Sequence, residues 1–346
     1  MNIFLDESGE SAGLLPFTLT RHLADIRIGI LTIREKWELL TGLTVVTKPI
    51  LQNADSLRVP ANIIPTASSV DHILKSFQDK TPFTENEALR MLHRPWQIFQ
   101  FNDWALRHDF ESLTAGKTSV AISSSNQCIK ENQIFIEQDA VVEYCTLNAS
   151  TGPIYIGKSA VLMEGTHIRG PFAACEGSVV KMGAKIYGAT TLGPFCVAGG
   201  EIKNSVLFGF SNKAHEGYLG DSVIGEWCNL GAGTSNSNVK NTGGEISYFR
   251  SVNSTAEPAG NKAGLLMGDY SRCAINSSFN TGSVVGVCCN IFGGRLAKYI
   301  PDFSWGNERY IFEKAIQDIS NWKKMKGHQV TPAEINLLKH LYSNTP

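Results

Sequence analysis

Apolar residues recur at every sixth position through the middle of this chain. Ile156, Leu162, Ile168, Ala174, Val180, Ile186, Leu192 and Ala198 fall six apart. The positions four further on, among them Ala160, Thr166, Ser178, Ala184, Thr190 and Cys196, are small, with Phe172 the exception. A second tract, Met267, Cys273, Phe279, Val285 and Ile291, keeps the same beat, with Ser271, Ser277, Ser283 and Cys289 at the +4 sites. Six fits neither a helix nor a lone strand. It is the period of a β-helix, in which short strands alternate with tight turns. The apolar residue points into the prism and the small one fits the crowded turn. The repeat starts weakly around residues 122–136, resets after Thr151-Gly152-Pro153 and slips again at Gly199-Gly200. Past that slip the phase places Val206, Tyr218, Ile224 and Leu230 inward, with Cys228 and Thr234 at +4. Residues 235–261, rich in Ser, Asn and Gly, drop the repeat and read as a long loop thrown out from a rigid scaffold.

The flanks obey other periods. Residues 3–5 and 43–46 read as short buried strands, residues 26–40 as a helix with Ile26, Ile30, Ile33 and Trp37 on one face, and residues 70–77 as another helix. Strands alternating with helices predict a small α/β domain before the β-helix. Trp96 and Trp104 read as packing between the two. After Pro301 the pattern turns helical through Ile311, Ala315, Ile316, Ile319 and Trp322. A last helix opens at Thr331-Pro332-Ala333-Glu334, with Thr331 at the N-cap, Pro332 at N1 and Glu334 at N3. These helices are expected to cap the open end of the β-helix. The division is then residues 1–112, 113–300 and 301–346.

With 346 residues and a net charge of −1, the chain is a poor candidate for nucleic-acid or membrane-surface binding as its main business. The eight cysteines form no CxxC pair and several occupy repeat positions, so they read as reduced core thiols of a cytoplasmic protein. MNIFLDESGE lacks a basic n-region and a long apolar run, and no stretch approaches the ~20 apolar residues of a membrane span. There is no GxxxxGK[ST], HExxH or GxSxG motif. The histidines other than His215 show no metal spacing.

The segment Asn212-Lys-Ala-His-Glu-Gly-Tyr-Leu-Gly-Asp221, then Ile224-Gly225, then Asn229-Leu-Gly-Ala-Gly-Thr234, resembles GlmU-type enzymes, the bifunctional N-acetylglucosamine-1-phosphate uridyltransferases/glucosamine-1-phosphate acetyltransferases. The pattern runs ungapped from Glu201 to Asn238. Leu14-Leu-Pro-Phe-Thr-Leu-Thr-Arg21, the run from Arg27 to Trp37, and the C-terminal run from Gly282 to Gly293 resemble the Bacteroidetes-type branch, a sugar nucleotidyltransferase joined to the acetyltransferase β-helix. The resemblance implies a left-handed parallel β-helix. It also implies acetyl transfer from acetyl-CoA to an amino-sugar phosphate, with glucosamine 1-phosphate first, in UDP-N-acetylglucosamine synthesis. A homotrimer is implied too, with the 235–261 loop reaching across the junction between neighbouring subunits.

On that resemblance His215 stands at the catalytic base. An amine nucleophile is largely protonated at neutral pH, and an imidazole with a pKa near ~6.5 can take its proton. Lys203, Tyr218, Asn229 and, more distantly, Lys262 match positions that hold the sugar and its phosphate. Ala232, Asn238 and Gly293 match the acetyl-CoA site, where the Ala232 N–H could stabilise an oxyanion. The family's phosphate-binding arginine has no counterpart: Arg169 lies too far upstream, and Lys185 lacks the guanidinium fork. Val239 and Ile275 replace a tyrosine and a serine of the family. The N-terminal loop, with Asp6, Glu7 and Glu10, departs from a glycine-rich nucleotide loop, and carboxylates repel phosphates. Arg21 could still bind a phosphate of UTP or a UDP-sugar, and Asp6 could still hold Mg²⁺, so nucleotidyl transfer stays open. A non-catalytic sugar-nucleotide-binding or regulatory scaffold is the alternative.

Overall fold

The computed structural model describes residues 2–48, 56–81, 88–251 and 254–345. Its centre is a parallel β-helix of three sheets, nine-, ten- and six-stranded, each built by strands one coil apart in sequence. In the regular part a coil takes eighteen residues: Val161 pairs with Val179, and Val179 with Val197. That is three hexads, so each apolar hexad residue stacks on its counterpart in the next coil. All thirteen hexad residues of the two tracts lie buried in one continuous core column. The first coils are longer, with Ile134 paired to Ile154 twenty residues on, which is the reset near Gly152.

The three faces of the prism have different fates. The nine-stranded face is covered by the N-terminal unit. There Asn2–Asp6 pairs in parallel with Val45–Val46 and Ser56–Pro60, and helices α1 (Ile33–Thr41), α2 (Val70–Asp79), α3 (Gln97–Gln100) and α4 (Asn102–Thr114) surround them. Helix α1 starts later than the periodicity suggests, because Thr32 closes a capping box with Glu35, and the residues before it make a tight turn at Gly29, with Ile28 N donating to Leu31 O and Arg27 bridged to Thr32. Ile28, Phe17 and Trp96 pack on the outward Val206, Phe208, Val223 and Leu266 of the β-helix, while Leu106 and Phe110 pack on Phe135, Tyr155 and Ala173.

Polar ties fix the dock. Asn102 accepts from Gly29 N at 2.7 Å and donates to Ala189 O at 2.8 Å. Lys36 and Asp109 form a buried ion pair, and Asp109 also accepts from the Ile30 and Leu31 amides. Arg21 is buried against the β-helix, paired with Asp269 and with Glu226 at 3.3 Å, its guanidinium 4.8 Å from the Phe208 ring centre.

Part of the 235–261 stretch folds back instead of reaching outward, while Asn241 to Glu245 stay exposed. Ser247–Tyr248 and Glu257–Pro258 form a hairpin, and Ile246, Tyr248 and Ala259 are buried among N-terminal side chains. Trp96 stacks on Tyr248 at 5.2 Å, and Gln100 donates to Ala259 O at 3.0 Å. The hairpin carries apolar residues at alternate positions, and the N-terminal unit offers the nearest apolar surface.

The C-terminal helices also sit elsewhere than expected. Helices α5 (Phe312–Met325) and α6 (Pro332–Asn344) pack side-on against the prism, not over its end. The corner they cover carries an aromatic ladder at left-handed backbone positions, with Phe195, Phe210, Trp227 and Tyr270 at φ 54–61°. Phe210 stacks on Trp227 at 4.3 Å, and Lys323 of α5 lies 4.8 Å from the Trp227 ring centre and pairs with Glu334. At the coil end Leu296 packs on the core column instead. The capping box of Thr331 and Glu334 is present as read. None of the described helices is long and apolar enough to cross a membrane.

Replacing Arg21 by Ala leaves Asp269 buried without its cation. We expect a loss of about 3–5 kcal/mol in chemical denaturation. A loss below ~1 kcal/mol would show that the dock does not depend on this pair.

Candidate functional site

The regular eighteen-residue coil breaks where the candidate residues lie. Lys185 pairs with Glu201 sixteen residues on, and Val197 with Asn212 only fifteen on. Residues are missing from the turn at Gly199 and Gly200, the slip read from sequence. The next turn, residues 214–217, is fuller and carries His215. A Cβ on Gly199 would meet Ala214 O at 2.4 Å, and one on Gly200, which has φ +71°, would meet His215 O at 2.8 Å. The two glycines thus form a seat into which the His215 turn drops. The turn above closes on it from the other side. Gly233 N donates to Glu216 O at 2.9 Å, and a Cβ on Gly217 would meet Thr234 O at 2.1 Å. The glycines flanking His215 and Ala232 are therefore packing requirements of two turns stacked at van der Waals distance.

His215 projects, exposed, from the corner between the face covered by α5 and the uncovered six-stranded face. Ala232 stands in the next turn along the same corner, its carbonyl accepting from Asn276 N at 2.7 Å. On the uncovered face Tyr218 points outward, correcting the inward phase. Leu219 is the core residue, and likewise Leu207 instead of Val206. Seventeen residues separate paired positions here, Glu201 to Tyr218, so the phase moves by one and side chains change sides. The Tyr218 ring lies over Gly220, whose absent Cβ would meet the hydroxyl at 2.3 Å. Burial raises the Tyr218 hydroxyl well above its usual pKa, so it stays protonated.

Asn238 donates to the Tyr218 hydroxyl at 3.1 Å and to the Asp221 carboxylate, which also accepts from Asn204 at 2.6 Å. Ala263 N donates to Asn238 O at 3.0 Å, which places the exposed Lys262 beside Asn238. Lys203, paired in register with Gly220, holds its ammonium 5.7 Å from the Tyr187 ring centre. Asn229 lies around the corner, accepting from Asn212 at 3.3 Å. It shares with His215 a cavity of about 360 Å³ whose other wall is Trp322, Met325 and Lys326 of the C-terminal segment.

His215 and Ala232 thus share one corner with Asn229 just around it, Tyr218 opens the adjoining uncovered strand, and Lys203, Asn238 and Lys262 lie toward the far edge of that face, beside Asn204 and Asp221. Gly293 lies further along the coil stack, two turns beyond Ala232 with the exposed Ile275 between. Arg21 is not among them: its guanidinium is enclosed by Asp269 and Glu226, which leaves no side for a phosphate. Asp6 accepts from Arg58 and from Ser8, each at 2.7 Å, and among the described residues no three His, Cys, Asp or Glu side chains gather as a metal would need. The described residues around Asp6 therefore do not fit the expected Mg²⁺.

Sequence reasoning missed two contributors. The α5 wall carries no motif and comes from residues remote in the chain. Lys213, inside the quoted motif, is buried. It occupies the place that Ala198 takes one coil earlier, and its ammonium turns back to donate to Gly199 O at 3.4 Å and to His215 O. The signal was a lysine at a core register position.

Comparisons with known proteins add names at this point. Residues 2–87 match the family described as sugar nucleotidyl transferase. A bifunctional sugar-1-phosphate nucleotidylyltransferase/acetyltransferase of Sulfurisphaera tokodaii is 30% identical over 214 residues, 59% of this chain and 44% of that protein. The bifunctional protein GlmU of Herminiimonas arsenicoxydans is 32% identical over 132 residues, 36% of this chain and 26% of that one. The chain resembles the GlmU-type proteins. It spans under half the length of either relative. The solved structure of an Arabidopsis UDP-N-acetylglucosamine acyltransferase is matched over 65% of this chain and 90% of that one, at 14% identity and a TM-score of 0.24, a likeness too slight to bear on fold or function.

Burial pushes the Lys213 ammonium down to about 8. An unfolded lysine titrates near ~10.4, so between those values the unfolded chain holds more protons and stability rises with pH. We expect Lys213→Met to abolish that rise while keeping stability near neutral pH within ~1 kcal/mol, and to lower turnover by loosening the His215 turn. An unchanged pH–stability profile in the variant would contradict this placement.

Proposed function

We propose that this protein is an acetyl-CoA-dependent N-acetyltransferase acting on an amino-sugar phosphate, with glucosamine 1-phosphate the first candidate, in UDP-N-acetylglucosamine synthesis in the cytoplasm. The observation that carries the reading is the His215 turn, seated between glycine turns, with cationic and hydroxyl side chains on the adjoining face. His215 takes a proton from the sugar ammonium. The freed amine attacks the thioester carbonyl carbon, a C–N bond forms, and the negative charge gathers on the carbonyl oxygen near the Ala232 amide. The C–S bond then breaks, the imidazolium returns its proton to the departing thiolate, and the second proton lost by the nitrogen passes to solvent, leaving the neutral amide. Lys203 and Lys262 would meet the acceptor's phosphate, and Tyr218 and Asn229 its hydroxyls. Asn238 and Gly293 fall on the cofactor's side.

Three copies would meet at the same corner. Tyr144, Met182, Ile275 and Phe292 stand exposed along it, an apolar ridge on either side of His215. The homotrimer and the acetyl-CoA site at its junction rest on this ridge and on the resemblance. The division into residues 1–112, 113–300 and 301–346 belongs to the same proposal. Nucleotidyl transfer is a second reading, favoured by the family match over residues 2–87. The enclosed Arg21 and the carboxylates of Asp6, Glu7 and Glu10 weigh against it.

Thiol release from acetyl-CoA with glucosamine 1-phosphate tests the reading. His215→Ala should lose ~10²–10⁴-fold in rate while keeping the wild-type circular dichroism. A wild type inactive toward every amino sugar tried would move the weight to a sugar-nucleotide-binding scaffold.

A further inference from the structure

The uncovered face continues past the candidate site as a cationic stripe. Outward positions stack in register from strand to strand: His167 on Lys185, Lys185 on Glu201, Glu201 on Tyr218, and Tyr187 on Lys203. Successive strands are ~4.8 Å apart. Moving away from Tyr218 along the coil axis, the face presents Lys203, then Lys185, then Arg169 beside His167. Arg169 and Lys185 are exposed, and neither has an ion pair among the described residues. Glu201, the carboxylate of this stretch, accepts from the Tyr187 hydroxyl at 2.5 Å and keeps one negative charge in register with Lys185, against the three cations Lys203, Lys185 and Arg169. Between these side chains runs a groove of about 430 Å³ lined by Thr146, Asn148, His167, Arg169, Lys185 and Tyr187.

A single phosphate bridges at most two neighbouring rungs of such a ladder. Three cationic rungs, Lys203, Lys185 and Arg169, extend over ~10 Å. That length suits two linked phosphates, and the groove beyond offers amide, hydroxyl and imidazole edges for a nucleoside. We propose that this face binds a nucleoside diphosphate. The amino sugar then lies at His215, its first phosphate against Lys203 and Lys185, and the second at Arg169, whose planar fork can grip two oxygens. The proposal deepens the acetyltransferase reading and rests on it for the position of the sugar: the preferred acceptor is a nucleotide sugar, not a sugar monophosphate. The nucleotide of coenzyme A shares this chemistry and is the other source of a diphosphate.

Calorimetry on the full chain separates the cases, with UDP-N-acetylglucosamine, N-acetylglucosamine 1-phosphate and coenzyme A as probes against wild type, Arg169→Ala and Arg169→Lys. The expected result is a tenfold or greater loss of UDP-sugar affinity in R169A, partial recovery in R169K, and a change below twofold for the sugar monophosphate. A loss confined to coenzyme A would support the diphosphate site and assign it to the cofactor. Equal losses for mono- and diphosphate ligands, or no loss for any, would overturn it. Because binding is read without turnover, a wild type that binds UDP-sugar through Arg169 yet transfers no acetyl group would sink the enzyme assignment and keep this site.

Discussion

Backbone hydrogen bonds between successive coils hold the outline of this molecule, and they impose a strict condition. Each strand must find its partner one coil on, with its inward side chain above the previous one. Eighteen residues satisfy that condition without adjustment, which is why Val161, Val179 and Val197 form a straight column. Any departure must be absorbed in a turn. The chain departs around the candidate site, dropping to fifteen residues between Val197 and Asn212 and returning to seventeen between Asn212 and Asn229. Gly199 and Gly200 make the first change sterically feasible, and the fuller turn that follows thrusts His215 out of the corner. The exposed histidine is thus a consequence of how the coil register is broken and repaired.

Covering the prism decides where chemistry can happen. A parallel sheet with an apolar outer side needs a partner, and the nine-stranded face finds one in the N-terminal unit and the paired strands Ser247–Tyr248 and Glu257–Pro258. The aromatic ladder from Phe195 to Tyr270 finds another in α5 and α6. The six-stranded face keeps charged outward residues and no such cover. Ligands that reach His215 therefore have that face and the cleft beside Trp322 to lie on. Arg21, a phosphate ligand by analogy, has been drawn into the first of these docks, where Asp269 and Glu226 pair with it.

The legible parts of the fold were those fixed by local period or by a cap. The hexads, the slip at Gly199-Gly200, the strand read at residues 3–5 and the Thr331 capping box all depend on neighbours in sequence, and all are present. The illegible parts depended on tertiary register or on contacts across the chain. A one-residue shift past the slip turned Tyr218 outward and Leu219 inward, which a count in sixes could not anticipate. The helix expected from residue 26 begins at Ile33, because the apolar residues before it lie in a turn at Gly29 that docks on the β-helix. The seat of the terminal helices was set by an aromatic ladder whose members lie fifteen to forty-three residues apart. The burial of Lys213 follows from the register of a single strand pair, Ala198 with Lys213.

The central claim is that the corner at His215 joins an acceptor on the uncovered face to a thioester on the other side. A crystal structure with glucosamine 1-phosphate and coenzyme A bound tests it most directly. The account predicts the sugar nitrogen within ~2.6–3.2 Å of a His215 ring nitrogen and the phosphate on the face that carries Lys203. An acceptor bound elsewhere, with His215 facing solvent in the ternary complex, would contradict it.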